Sequence, residues 1–220
     1  MAARRYGRRK TWQLVAILIA SAIVWFLDPQ RRGAPPKARP VPNAEVPAAH
    51  ANGYETFTGC QWVDHRQNDG DSFRVKLPDG RIEQFRLYYV DSPESEFRSY
   101  RGGETNRERI HEQAKVFGID DEQAVEIGKR AKKLTHGLLS RGSFTIQTKW
   151  EDPFGDRRYH AFVIPSSGPL LEETLVREGL VRIHTKGAPM PDGTPVKERL
   201  KTLRSLEDEA KRAKRGAWGL

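Results

Sequence analysis

Phe85-Arg86-Leu87-Tyr88-Tyr89-Val90-Asp91-Ser92-Pro93-Glu94 opens as a strand and closes in turn chemistry. Ile82, Phe85, Leu87, Tyr89 and Val90 are apolar or aromatic, and Asp91-Ser92-Pro93 ends the run, so the strand delivers Asp91 and Glu94 at its exit. Arg86 points to one face of it. Upstream, Asp69-Gly70-Asp71-Ser72 lies between two strand-like runs, and a turn at Asp-Gly returns Asp71 beside the next strand. Three carboxylates and one arginine are thereby expected close together. A hard cation takes several oxygen ligands, and a phosphodiester under attack needs positive charge and a base for the incoming water. The cluster has the side chains for both.

Working outward, strand-like runs occur at residues 57–63, 73–77, 82–90, 143–150 and 159–164, the second and third joined by Pro78-Asp79-Gly80. Five such strands suit a small closed barrel. Apolar residues at helical spacing predict helices over 123–140, 169–178 and 196–215, with Leu200, Leu203, Leu206 and Ala210 as the stripe of the last. Trp218 is expected to cover the barrel end, and His160 and His184 read as strand residues. Residues 104–117 are polar and helix-permissive, inside an acid-rich stretch from Glu94 to Glu126 read as a helical flap. Its negative charge repels a polyanion unless it faces away from the cleft.

The ordered set Asp69-Gly70-Asp71-Ser72, then Phe-Arg-Leu-x-x-Val-Asp-Ser-Pro-Glu, resembles the signature of the staphylococcal nuclease (thermonuclease) family, over roughly residues 56–220. The resemblance implies an α+β fold: a five-stranded OB-fold barrel flanked by about three helices. It implies calcium held by the carboxylates of Asp71 and Asp91 and the carbonyl of Ser92, with Glu94 as general base. Arg86 and Arg158 would stabilise charge on the equatorial phosphate oxygens, as the planar guanidinium suits. Arg158 stands three residues before Ala161, as in the family pattern, with Arg157 as the alternative. The implied reaction is hydrolysis of the 5′ P–O bond of DNA or RNA, leaving 3′-phosphate ends. Two departures stand out. A segment at about 95–122 is inserted after Glu94, and the family's base-stacking tyrosines are missing around Ile183, leaving Phe154 or Tyr159 for that role.

The chain has 220 residues and a formal net charge of +9, but residues 1–40 hold nine Lys and Arg against one acid, so the rest is nearly neutral. Global basicity is therefore no argument for a nucleic-acid partner. A single cysteine, Cys60, excludes an intramolecular disulfide. Residues 1–11 form a basic head. The apolar run 12–27 would span about 24 Å as a helix and reads as a membrane anchor, or as a cleaved signal sequence. The charge asymmetry puts the head in the cytoplasm and residues 54–220 outside, as a single-pass membrane protein, secreted if the segment is cleaved. Residues 28–53 are Pro- and Ala-rich, a tether. No obligate protein partner is evident. The competing reading is a non-catalytic OB-fold module that binds nucleic acid or protein at the membrane.

Overall fold

The structure, a computed structural model, describes residues 52–220. The basic head, the apolar run 12–27 and the tether up to residue 51 lie outside the described residues. None of the described helices is long and apolar enough to cross a membrane.

The chain runs through β1 (Glu55–Val63), β2 (Ser72–Lys76), β3 (Ile82–Leu87), β4 (Val90–Asp91), α1 (Arg107–Phe117), α2 (Asp121–Leu139), β5 (Phe144–Thr148), β6 (Arg158–Ile164), α3 (Leu171–Arg177), β7 (Arg182–Ile183) and α4 (Val196–Arg212), ending in a 3-10 turn at Gly216–Gly219. Five strands close a barrel in the order β1-β2-β3-β6-β5, and β4 pairs with β7 apart from it. Closure depends on β1, whose first part pairs with β5 and whose last part, Gln61–Val63, pairs with β2. A register shift between Thr58 and Cys60 bends the strand from one partner to the other, with Gly59 at positive φ.

Phe73 and Val75, Phe85 and Leu87, Ile146, and Ala161 and Val163 take every second position of their strands and join one core. The opposite face belongs to the chemistry. Ser72 pairs with Arg86 and Arg86 with His160, while Gln84 pairs with Arg158, so these side chains share one face across β2, β3 and β6.

The expected strand 82–90 is in fact two. Tyr89 adopts φ +68, which a bulky residue takes only when its surroundings hold it there. Here the Tyr89 amide donates to the Lys186 carbonyl at 3.0 Å, its carbonyl accepts from the His184 amide at 2.8 Å, and its hydroxyl donates to the Ala188 carbonyl. The chain therefore leaves the barrel after Leu87 and enters the short β4–β7 pair. His184 follows β7 rather than lying in a strand. Of the four α-helices described, three are those expected to flank the barrel and α1 lies in the stretch 104–117 read as a helical flap. Trp218 packs on Phe117 of α1, ring centroids 4.9 Å apart.

Helix α2 starts at a full capping box, with Asp120 accepting from the Gln123 amide and the Gln123 side chain accepting from the Asp120 amide. Its buried side includes Ile127, Gly128, Ala131 and Thr135. Two glycines set how closely the motif segments approach that side. A Cβ on Gly70 would stand 2.6 Å from both Ala131 Cβ and Ser92 Oγ, and one on Gly128 would stand 2.5 Å from the carbonyl oxygens of Pro93 and Glu94. Thr135 adds a hydrogen bond to the Gly70 carbonyl at 2.7 Å.

Candidate active site

The loop from β1 to β2 is stapled by buried Asn68, whose side chain donates to the Val63 carbonyl at 2.9 Å and accepts from the Arg74 amide at 3.1 Å. The Asp69 amide donates to the Ser72 carbonyl at 2.7 Å, and the Leu87 amide to the Asp71 carbonyl at 2.9 Å. These bonds place Asp71 beside the exit of β3. From β4, Asp91, Ser92 and Glu94 arrive on the other side, and the two segments meet at a cleft of about 290 Å³ lined by Asp69, Asp71, Arg86, Ser92, Glu94 and Arg158, with Arg98 and Arg109. All the expected residues line it except Asp91, which is buried behind Arg86.

Arg86, 6% exposed, joins the two segments: its Nη2 lies 3.4 Å from Asp71 and 3.1 Å from Asp91. Asp91 carries most of the bonding. Besides Arg86 it accepts from Arg182 Nε at 2.9 Å, Arg109 Nη2 at 3.0 Å and Gln113 Nε2 at 3.0 Å. Burial opposes ionisation there, but Arg109, Gln113, Arg182 and Arg86 outweigh it and hold Asp91 below the usual carboxylate value. Ser92 contributes its carbonyl, which accepts from Gln113 at 3.0 Å, and the Glu94 amide donates back to the Gln113 side chain at 3.0 Å. The Glu94 carboxylate lies 3.1 Å from Arg109 Nε.

The other two carboxylates are short of positive partners. Burial, with Asp71 and Glu94 nearby, pushes Asp69 up to about 7, and its hydrogen bond is to the Gly70 amide at 3.0 Å. Burial pushes Asp71 up to about 6 despite Arg86. Among the described residues no three His, Cys, Asp or Glu side chains converge as a ready metal cage. The expected set is two carboxylates and a carbonyl: Asp71, with Asp69 beside it, offers the cleft carboxylate oxygens of the kind a hard cation takes, whereas Asp91 and the Ser92 carbonyl already accept from Gln113 and, for Asp91, from three arginines.

At the far wall Arg158 opens β6. Its Nε donates to Asp156 at 2.7 Å, and its side chain is 30% exposed. Arg157, by contrast, sits in the turn at φ +61, exposed and off the cleft wall. Of the two stacking candidates, Tyr159 is packed on Phe85 and Trp150, whereas Phe154 is 66% exposed, its ring 6.0 Å from the Arg86 guanidinium. A larger groove of about 400 Å³, lined by Trp62, Lys129, Lys132 and His136 among others, holds none of the expected residues. The carboxylate and arginine cluster makes the smaller cleft the candidate site.

The acid-rich segment around α1 turns its glutamates away from the cleft. Glu104, Glu108 and Glu112 are exposed, and the groups that α1 turns to the site are Arg109 and Gln113, one helical turn apart. Both escaped the sequence reading, as did Arg182. Arg109 and Gln113 stand four residues apart, on one side of α1 and beside the buried Ile110 and Ala114, a signal that a helical wheel of residues 107–117 carries.

A family model described as Staphylococcal nuclease homologue matches residues 84–219. The chain belongs to this family. The match begins inside β3, takes in Arg86, Asp91, Ser92, Glu94 and Arg158, and leaves Asp69-Gly70-Asp71 just upstream. No curated protein matches the chain. Within this staphylococcal nuclease-like domain the barrel and the β4–β7 pair carry the cluster, while α1 is set against it through Arg109 and Gln113.

Proposed function

We propose that the domain is a calcium-dependent nuclease that hydrolyses DNA or RNA at the 5′ P–O bond and leaves 3′-phosphate ends. The observation that carries this reading is that Asp71, Arg86, Glu94 and Arg158, which are far apart in sequence, line one cleft in a chain of the staphylococcal nuclease family. A phosphodiester entering it meets guanidinium groups on Arg86 and Arg158, whose planar forks suit two phosphate oxygens and stabilise the charge that grows as the nucleophile adds. Glu94, on the Ser92–Glu94 segment tied down by Gln113, accepts the proton of the attacking water. Calcium, held by Asp71, Asp91 and the Ser92 carbonyl, would supply Lewis-acid polarisation of a phosphate oxygen. The apolar run 12–27 would keep this activity at a membrane, on the extracytoplasmic side, a reading that rests on the sequence alone.

One observation favours the alternative of a module that binds without cutting. The Glu94 carboxylate is ion-paired with Arg109, and Asp91 is surrounded by donors. Glu94→Gln separates the two: as a nuclease the parent cuts single-stranded DNA or RNA and the folded variant loses most of that activity. As a binding module, parent and variant bind alike and neither cuts.

A further inference from the structure

We propose that Arg109, carried by helix α1, contacts the phosphodiester backbone of the nucleic-acid substrate, which makes α1 a substrate-binding element. The proposal rests on the nucleic-acid reading of the cleft and extends it to a residue outside the family motif.

Arg109 is not the only group that neutralises Asp91. Arg86 and Arg182 reach that carboxylate with side chains only 7% and 11% exposed, and Gln113 adds a buried hydrogen bond. The Arg109 side chain is 43% exposed, on the open side of the cleft. Asp91 and Glu94, with side chains 3% and 13% exposed, hold the guanidinium from the protein side, which leaves its solvent side open to an entering phosphate.

Nor is Arg109 needed to hold α1 in place. Ile110 and Ala114 of α1 pack on Ala124 and Val125 of α2, Gln113 bonds to Asp91 and Ser92, and Arg182 donates to the Glu112 carbonyl at 3.4 Å. The helix is docked by its neighbours, and Arg109 is the residue it has to spare. A guanidinium carries five donors in a fixed fork. Nε and Nη2 of Arg109 are engaged, while Nη1 has no partner among the described residues. A phosphate seated between Arg86 and Arg158 would meet this third guanidinium from the α1 side. A phosphate oxygen also makes stronger charge-assisted bonds with arginine than neutral groups do.

The test uses the full chain in detergent, with Arg109→Met and Arg109→Lys beside the parent. A labelled single-stranded oligothymidylate is titrated by fluorescence anisotropy with chelator present, over a series of salt concentrations. The Met variant should bind roughly tenfold more weakly. Its slope of log affinity against log salt should fall by about 0.7, the loss of one phosphate contact on a single strand. The Lys variant should recover part of both, and both variants should keep the parent's circular dichroism spectrum. In cleavage assays the Met change should raise KM more than it lowers kcat. Parental affinity and salt slope in Arg109→Met overturn the proposal, whether kcat then falls, as for a residue that only positions Glu94, or rises, as for a latch on the base. A parent that binds the oligonucleotide but cuts nothing refutes the hydrolysis reading and leaves the affinity test of Arg109 intact. A parent that binds none refutes both.

Discussion

Gly128→Ala is the substitution in which the packing of α2 and the chemistry of the cleft are most directly opposed. On helix propensity alone, alanine in a helix interior should stabilise by about 1 kcal/mol. The new Cβ, however, would stand 2.5 Å from the carbonyl oxygens of both Pro93 and Glu94, backbone atoms that cannot swing aside as a side chain does. Opening both to ordinary contact at 3.4 Å needs a shift of about 0.9 Å, either of α2 or of the segment carrying Ser92 and Glu94. Overpacking of this kind costs about 1–3 kcal/mol, which cancels or exceeds the propensity gain. A displacement near 1 Å at a catalytic group can cost about 100-fold in rate. Gly137 lies on the same helix with nothing within 4 Å of its Cβ position, so Gly137→Ala isolates the propensity effect. Denaturant unfolding followed by circular dichroism, with kcat on single-stranded DNA, should show Gly137→Ala more stable by about 0.5–1 kcal/mol at parental kcat. Gly128→Ala should be no more stable than the parent and about 100-fold slower. A Gly128→Ala variant that is both stabilised and fully active would refute the argument that the α2 approach sets the position of Glu94.

Three further outcomes are expected. Asp69 and Asp71 have folded-state values raised to about 7 and about 6, so the folded state binds their protons more tightly than the unfolded chain. With chelator present, the stability these two carboxyls contribute is full below about pH 4 and is lost as pH rises to about 7, so thermal midpoints of Asp69→Asn should fall less than the parent's over that range. Arg199, 4% exposed, pairs with fully buried Glu172 and with Glu173, and Arg199→Met leaves the Glu172 carboxyl buried without its partner. It should cost about 3–5 kcal/mol in urea unfolding, and a loss below about 1 kcal/mol would contradict the pairing. His160 is fully buried, and among the described residues neither ring nitrogen has a hydrogen-bond partner. His160→Leu should raise stability by about 1 kcal/mol, and a drop in thermal midpoint would contradict that reading of the site.

The barrel was legible because its strands carry a period of two and their turns carry their own chemistry. Phe73-Arg74-Val75-Lys76 alternates cleanly, and Pro78-Asp79-Gly80 closes the next hairpin, where the Leu77 amide bonds to the Arg81 carbonyl at 2.8 Å. The cleft residues were legible through motif order. The break at Tyr88–Tyr89 was not, because the positive φ of Tyr89 is imposed by Lys186 and Ala188, about a hundred positions away. Arg182 was missed for the same reason: its bond to Asp91 spans 91 positions. The acid-rich segment around α1 illustrates a different loss. Counting acids made it a negative flap, but charge acts through position, and α1 turns Glu108 and Glu112 to solvent and Arg109 and Gln113 to the site.

The central claim is that this cluster hydrolyses nucleic acid with Glu94 as the base. The direct measurement is cleavage of single-stranded DNA and RNA by the parent and by Glu94→Gln, each with calcium and with chelator, followed by analysis of the product ends. The expected result is calcium-dependent cutting by the parent to 3′-phosphate ends, abolished by chelator, with a folded Glu94→Gln variant slower by about 100-fold or more. Equal cutting by parent and variant, or no cutting by a folded, calcium-supplied parent, would contradict it.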